Sequence, residues 1–200
     1  LYAVFRMKSS KPLLLPIRIA GPREVLNDAH KRDILFAAYF GVILVMLLYN
    51  LFLFFSVGDR SYLEYSLFIF MIGGTQLVLN GYAPYFNVDA WPWFNTRITQ
   101  FFGVFSGLTT IIFAQNFLRL NRYVPWLHKL LNGYFVIYLV ALVLAISGQL
   151  VWAYNVINFC AAAIFFFIPG AIITMRKGYS PAKYFLLAFS IFIGAVVVFV

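Results

Sequence analysis

The chain has 200 residues, of which 64% are hydrophobic and 10% are charged, and its mean hydropathy is +0.89. Soluble domains are about 45–50% apolar and about 25% charged, so this composition excludes a water-soluble enzyme domain. The net charge of +9 raises the question of nucleic-acid binding. Basic residues that flank apolar segments are also what membrane orientation requires, and we expect no nucleic-acid partner.

The region before the first apolar segment contains two predicted β-strands. Residues 2–8 alternate apolar and polar side chains, and residues 13–19 form a second β segment after a turn. We interpret residues 1–21 as a hairpin remnant of an exported β sensor domain, and a disordered linker is the alternative. Pro22 is well placed to begin a juxtamembrane helix or linker over residues 22–33.

Residues 34–200 are predicted to form an all-α polytopic membrane helix bundle, because about 20 apolar residues suffice for one helical crossing. The uncharged stretch from Leu130 to Met175 is about twice that length, and we divide it at Ser147-Gly148-Gln149. A membrane β-barrel is excluded because its strands would alternate with period two. The predicted spans lie near residues 34–57, 61–79, 98–118, 130–146, 150–175 and 184–200. The sixth is cut short at residue 200, and we expect the chain to be a piece of a longer protein.

Basic residues are unevenly divided between the two sets of alternate loops. One set holds seven and the other holds only Arg97, so the positive-inside rule predicts that the first set is cytoplasmic. Lys31 and Arg32 lie close to the first span and oppose this orientation, with Asp33 as a partial offset. We predict an outside N-terminus. The seven residues are Arg60, Arg119, Arg122, Lys129, Arg176, Lys177 and Lys183.

Two predicted helix ends involve candidate site residues. Ser61 and Glu64 have the spacing of a capping box, with Ser61 at the N-cap of the second helix and Arg60 just before it. The alternative for Glu64, an acid near a span interior, is a proton or ion site. Asn80-Gly81 is typical of a helix stop with a left-handed residue.

Polar residues deeper in the spans are interpreted mainly as interhelical hydrogen-bonding groups, with ligand contact as the alternative. They are Asn50, Gln76, Gln115, Asn116, Asn155 and Asn158. Asn155 and Asn158 share a helix face because they are three residues apart. Pro169 is predicted to kink the fifth span, as a packed bend or as a hinge.

Catalytic and cofactor chemistry is not indicated by the sequence. The two histidines, His30 and His128, lie outside the predicted spans, and the single cysteine, Cys160, has no partner for a disulfide. We find no metal-ligand spacing and no phosphate-binding loop. We therefore expect no catalytic residues, no cofactor and no metal, and no enzyme activity within these residues.

Several short motifs resemble those of one known family, the bacterial seven-transmembrane receptors with diverse intracellular signalling modules (7TMR-DISM). The tail before the first span also resembles the end of that family's extracellular jelly-roll domain. The motifs are Ala38-Tyr39-Phe40-Gly41, Leu47-Leu48-Tyr49-Asn50-Leu51-Phe52-Leu53, Asp59-Arg60-Ser61-Tyr62-Leu63-Glu64-Tyr65, Leu79-Asn80-Gly81 and Phe113-Ala114-Gln115-Asn116-Phe117-Leu118.

The resemblance implies a multi-pass receptor of the bacterial inner membrane, with a periplasmic N-terminus and a seventh helix beyond residue 200. It implies that the exported domain binds a small ligand, for which a carbohydrate is one candidate. The helices would relay binding to a cytoplasmic output module, such as a kinase or cyclase, outside this chain. The candidate structural or signalling residues are Tyr49, Asn50, Arg60, Ser61, Glu64, Asn80, Gly81, Asn155, Asn158 and Pro169.

The remaining partner and function assignments stay open at this point. The lipid bilayer is the expected partner of the helices, and a homodimer is an arrangement that the sequence allows. A small-solute transporter or permease subunit is the alternative function, although we find no internal repeat of the kind that transporters contain. A purely structural membrane anchor is a third hypothesis.

Overall fold

The computed structural model describes residues 21–82, 91–188 and 190. This part of the chain is almost entirely helical and contains no strand, which confirms the predicted all-α membrane fold. The predicted hairpin remnant lies outside the described residues, except for Gly21. The helices are α1 (Pro22–Val57), α2 (Arg60–Leu79), α3 (Pro92–Asn95), α4 (Ile98–Phe117), α5 (Leu120–Tyr123), α6 (Pro125–Ile146), α7 (Leu150–Ala161), a 3₁₀ segment (Ala162–Phe166), α8 (Phe167–Arg176) and α9 (residues 182–188).

The chain divides into two compact units, Leu1–Val42 and Ile43–Val200, with the boundary inside α1. In the first unit, Phe36 and Phe40 lie one helical turn apart with their rings stacked, at a centroid distance of 6.4 Å. The second unit contains the packed helices.

Five helical stretches in the described part of the chain are long and apolar enough to cross a membrane. They are α1, α2, α4, α6 and the stretch Leu150–Arg176, which joins α7, the 3₁₀ segment and α8. Each overlaps one of the first five predicted spans. The sixth, residues 184–200, begins within α9 and lies mostly outside the described residues.

Two turns have the backbone geometry that the sequence predicts. After α2, Gly81 adopts a φ of +80°, and its N–H donates to the carbonyl of Val78 at 3.2 Å while the N–H of Tyr82 donates to that of Leu77 at 3.0 Å. This pair of bonds is the Schellman motif. Between α6 and α7, Gly148 has a φ of +87°, which a residue with a Cβ rarely adopts.

The helix α4 is the centre of the second unit and packs antiparallel to α2. The ring of Phe68 stacks on that of Phe113 at 5.2 Å, and further along α2 the hydroxyl of Thr75 donates to the carbonyl of Phe102 at 3.2 Å. Residues later in α2 contact residues earlier in α4. The two helices therefore run in opposite directions.

The helix α6 also packs antiparallel to α4, on another side. Gln115 near the end of α4 bonds to Asn132 near the start of α6, and Gly107 packs against the ring of Tyr138. Apolar side chains from these helices and from the later part of the chain form the core. They include Val104, Leu108, Ile111, Leu118, Leu120, Leu127, Leu131 and Phe167.

The fifth span is interrupted directly before Pro169. Proline has no N–H to donate to the carbonyl four residues earlier, which belongs to Phe165. Residues Ala162–Phe166 adopt 3₁₀ geometry, and α8 resumes at Phe167. The interruption therefore lies N-terminal to Pro169, whose own side chain is exposed.

Candidate functional site

Basic residues and interhelical polar contacts concentrate at one end of the bundle, which we call the basic end. It is formed by the start of α2, the end of α4, α5, the start of α6, the end of α8 and the start of α9. The seven basic residues named above lie in or beside these segments. The opposite end carries Arg97, at the N-cap of α4.

The first turn of α2 is capped by Asp59, and not by Ser61 as the sequence predicted. The backbone N–H of Ser61 donates to Oδ1 of Asp59 at 2.9 Å, and α2 begins at Arg60. This hydrogen bond, with a smaller contribution from the positive charge of Arg119, holds the pKa of Asp59 below its ordinary value. The predicted capping box is therefore wrong, because an aspartate two residues earlier takes the cap position.

Without a capping role, the half-buried Glu64 bonds across to another helix. The side-chain amide of Asn116 donates to Oε1 of Glu64 at 2.8 Å, joining the start of α2 to the end of α4. A hydrogen bond to an ionised carboxylate is stronger than a neutral one. The pair is thus an interhelical side-chain hydrogen bond between two antiparallel helices.

A second polar group joins α4 to α6. The amide of Gln115, a buried residue, donates to Oδ1 of Asn132 at 2.9 Å and to the backbone carbonyl of His128 at 3.2 Å. Nδ2 of Asn132 lies 3.5 Å from Nε2 of His128, and Nδ1 of that ring is buried without a partner. Adjacent α4 residues therefore bond to two different helices.

A third contact connects the end of α5 to the residues that follow α8. Nζ of Lys177 donates to the carbonyl of Tyr123, whose ring lies 5.5 Å from that of Tyr179. The guanidinium of Arg119 lies over the Tyr179 ring at 5.4 Å. Arg119 has a φ of +49°, a left-handed conformation that costs about 1–3 kcal/mol in a residue other than glycine.

At the opposite end, Arg97 connects α4 to α6. Its Nε donates to the carbonyl of Ala145 at 3.0 Å, and its Nη1 donates to that of Trp93 at 3.0 Å. The guanidinium also lies 4.7 Å from the centroid of the Trp93 ring. A cation beside the last turn of α6 interacts favourably with the negative end of that helix dipole.

The predicted site residues do not form one cluster. Ser61 and Glu64 lie at the basic end with Arg60, which is exposed, whereas Asn80 and Gly81 end α2 at the opposite end. Tyr49 and Pro169 are exposed. Asn50 is buried, but its amide bonds to the carbonyl of Met46 in the same helix at 2.7 Å. The prediction of interhelical bonding is therefore wrong for Asn50 and correct for Gln115 and Asn116.

Asn155 and Asn158 are also not interhelical bonding groups within the described residues. Both are exposed, and the amide of Asn158 bonds to the carbonyl of Tyr154 in its own helix at 3.0 Å. The buried face of α7 is formed by the small residues Ala153 and Cys160, which are seven positions apart. This packing turns the two asparagines away from the neighbouring helices.

Several contact residues were not singled out by the sequence. Lys177 and Tyr179 give no local signal for their partners in α5. Arg97 does stand out, as the one basic residue in its loop set with a tryptophan four residues earlier. Across the described residues, no group of three or more His, Cys, Asp and Glu side chains could hold a metal ion.

A family model described as 7TM diverse intracellular signalling matches residues 32–200. The chain belongs to this family. This 7TM signalling domain is a multi-pass membrane protein whose apolar helices contact the lipid bilayer. No curated protein and no solved structure matches the chain. The family assigns the domain to signalling, and nothing supports the transporter alternative.

Proposed function

We propose that this domain is the membrane part of a bacterial receptor of the inner membrane, with the basic end in the cytoplasm and the N-terminus in the periplasm. A periplasmic domain binds a small ligand, with a carbohydrate as one candidate, and the helices transmit that event to a cytoplasmic output module. The single observation that carries the proposal is the family match over residues 32–200.

Charge supports the orientation. In the loops between helices, one end carries seven basic residues and the other carries only Arg97, and cytoplasmic loops carry the excess of lysine and arginine in membrane proteins. Lys31 and Arg32, close to the start of the first span, oppose this orientation, and Asp33 offsets them in part. The helix α1 extends from Pro22 to Val57, longer than a single crossing requires. A helix of this length suits a segment that leads from an exported domain into the membrane.

The contacts at the basic end support the relay. The Glu64–Asn116, Gln115–Asn132 and Lys177–Tyr123 bonds each join different helix ends beside the proposed output module. A relay needs two arrangements of the bundle with different ligand affinities. Polar contacts between helix ends give such arrangements a discrete difference in free energy, because each bond is either made or broken.

In this proposal the domain transmits and does not catalyse. Kinase or cyclase activity belongs to the downstream module, and a homodimer would bring two such modules together. The domain itself requires no cofactor.

The relay is tested in the full-length protein by exchanging the carboxyl and amide groups of the Glu64–Asn116 pair in two steps. Asn116→Asp places two carboxylates together, and we expect the basal output in membranes to change about fivefold or more, as coupling free energies of this kind produce. Output is read as ATP-dependent autophosphorylation or as cyclic-nucleotide formation. Adding Glu64→Gln to Asn116→Asp should restore the wild-type level.

The matched control is Asn121→Asp, which adds the same charge at an exposed position of the basic end. We expect it to leave output unchanged. Equal output from the wild type, the Asn116→Asp variant and the double variant, with all three folded in the membrane, would refute the relay through this pair.

A further inference from the structure

The centre of the second unit contains a cavity of about 160 Å³ between α2, α4, α6 and the fifth span. Gly107 and Tyr138 line it, and each lies about halfway along its helix. Cys160 and the 3₁₀ residues Ala163 and Ile164 form the facing wall. In a bundle that spans the bilayer, this cavity lies near the middle of the membrane.

Tyr138 provides the hydrogen-bond donor of the cavity. Its side chain is only 5% exposed, and its ring packs directly on Gly107. Tyr138 lines the cavity, and its hydroxyl makes no hydrogen bond within the described part of the chain. The hydroxyl proton is therefore available to an acceptor that occupies the cavity.

The other hydroxyls that line the cavity donate hydrogen bonds to backbone carbonyls of their own helix. Oγ of Ser106 donates to the carbonyl of Gly103 at 3.1 Å, and Oγ1 of Thr110 donates to that of Ser106 at 2.6 Å. The remaining lining is apolar apart from the Cys160 thiol, and no charged side chain is among the described residues that line it. The cavity therefore presents one free hydroxyl donor, beside the weakly donating Cys160 thiol, in a neutral, largely apolar and partly open pocket.

We propose that this cavity binds a small uncharged molecule from the membrane, about the size of a six-membered ring, that accepts a hydrogen bond from Tyr138. An engineered apolar cavity of about 150 Å³ in another protein binds benzene. The single donor adds selectivity for a ligand with one oxygen acceptor. This site is separate from ligand binding by an exported domain and does not depend on it.

The cavity is partly open at its rim, where Ala161 is exposed, and one of its walls is also the least regular part of the fifth span. Hydrogen-bond geometry is poorer in a 3₁₀ segment than in an α-helix, and Pro169 removes a further bond just beyond it. Segments with weak backbone hydrogen bonding open locally more often than regular helix. The Ala162–Phe166 segment is thus the part of the fifth span best suited to admit a small molecule.

The Cys160 thiol lies in the cavity wall, so its chemical modification reports whether a molecule occupies the cavity. We would measure the rate at which methyl methanethiosulfonate modifies Cys160 in lipid nanodiscs, by mass spectrometry of the peptide that contains it. Cyclohexanone and methylenecyclohexane are the probes, because they share a shape and differ in the acceptor oxygen. Both are expected to slow the modification, with cyclohexanone effective at a lower concentration.

Tyr138→Phe keeps the ring on Gly107 and removes the hydroxyl. We expect the half-protecting concentration of cyclohexanone to rise about 2- to 10-fold in this variant, as the loss of one hydrogen bond predicts, and that of methylenecyclohexane to stay unchanged. Partitioning into lipid is the same for both proteins and cancels in the comparison. Ala161→Leu, at the exposed rim of the cavity, should reduce protection by both probes and serves as a second variant.

Two results would overturn the proposal. One is that neither probe protects Cys160 in the wild type, which would mean that the cavity holds only water or nothing. The other is that the advantage of cyclohexanone persists in Tyr138→Phe.

Discussion

The side-chain amide of Asn116 lies 2.8 Å from Oε1 of Glu64 and joins two antiparallel helices at the basic end. Glu64 is the acidic side chain in the first turns of α2, and Asn116 is exposed near the end of α4. The neighbouring Gln115 points to α6 instead. The last turn of α4 therefore connects both of its antiparallel partners through consecutive residues.

A double-mutant cycle on this pair should show a measurable coupling. We expect Glu64→Ala and Asn116→Ala to have an interaction free energy of about 0.6–1.7 kcal/mol, between the average and the largest value found by such cycles in another membrane protein. The free energy of unfolding in mixed micelles is the measurement. Glu64→Ala combined with Ser147→Ala, at the opposite end, is the control and should be additive. Additivity of the Glu64 and Asn116 substitutions would contradict the bond.

Replacing Gly170 in α8 with a larger residue is expected to destabilise the protein. A Cβ at this position would lie 2.5 Å from Cδ2 of the fully buried Leu127. Gly170→Ala should therefore lower the free energy of unfolding by about 1–3 kcal/mol through overpacking.

Gly133 in α6 is the matched control, because a Cβ there meets nothing within 4 Å. Gly133→Ala should be neutral or stabilise by up to about 1 kcal/mol through helix propensity. Equal effects of the two substitutions would show that Gly170 does not lie against Leu127.

Replacing Pro169 should convert the 3₁₀ segment of the fifth span toward regular α-helix. Pro169→Ala restores an N–H that can donate to the carbonyl of Phe165, and the exposed proline ring leaves no internal void. We expect amide hydrogen exchange over residues 162–169 to slow, while exchange in α6 stays the same. If exchange in this segment is unchanged, Pro169 is not the cause of the 3₁₀ interruption.

The cap of α2 should depend on pH in one direction. The folded-state pKa of Asp59 is lowered, so its stabilising effect is complete above the unfolded value of about 3.9 and is lost as the pH falls through the lower folded value. NMR titration of the Asp59 carboxyl should give a midpoint below that of an unstructured peptide. Asp59→Asn retains the cap acceptor and should remove this pH dependence. A midpoint at or above the peptide value would contradict the cap.

Local chain signals predicted the helix ends well, because they depend on residues close in sequence. The stop at Asn80-Gly81 and the break at Gly148 follow from glycine's access to positive φ. At the start of α2 the sequence offers two suitable capping residues, Asp59 and Ser61. Their spacing alone did not decide which one caps the helix.

Contacts between distant segments could not be predicted, because they depend on how each helix is rotated about its axis. Arg97 and Ala145 are 48 residues apart, and Lys177 and Tyr123 are 54 apart. The exposure of Asn155 follows from the packing of the opposite face of α7. No feature of a single apolar span fixes that rotation.

The orientation of the bundle is tested most directly by labelling single cysteines in spheroplasts with a membrane-impermeant maleimide. In a Cys160→Ser background, Asn121→Cys probes the basic end and Ser147→Cys the opposite end, and both positions are exposed. We predict that Ser147→Cys is labelled from outside and that Asn121→Cys is labelled only after the membrane is permeabilised. Labelling of Asn121→Cys in sealed spheroplasts would contradict the proposed receptor topology.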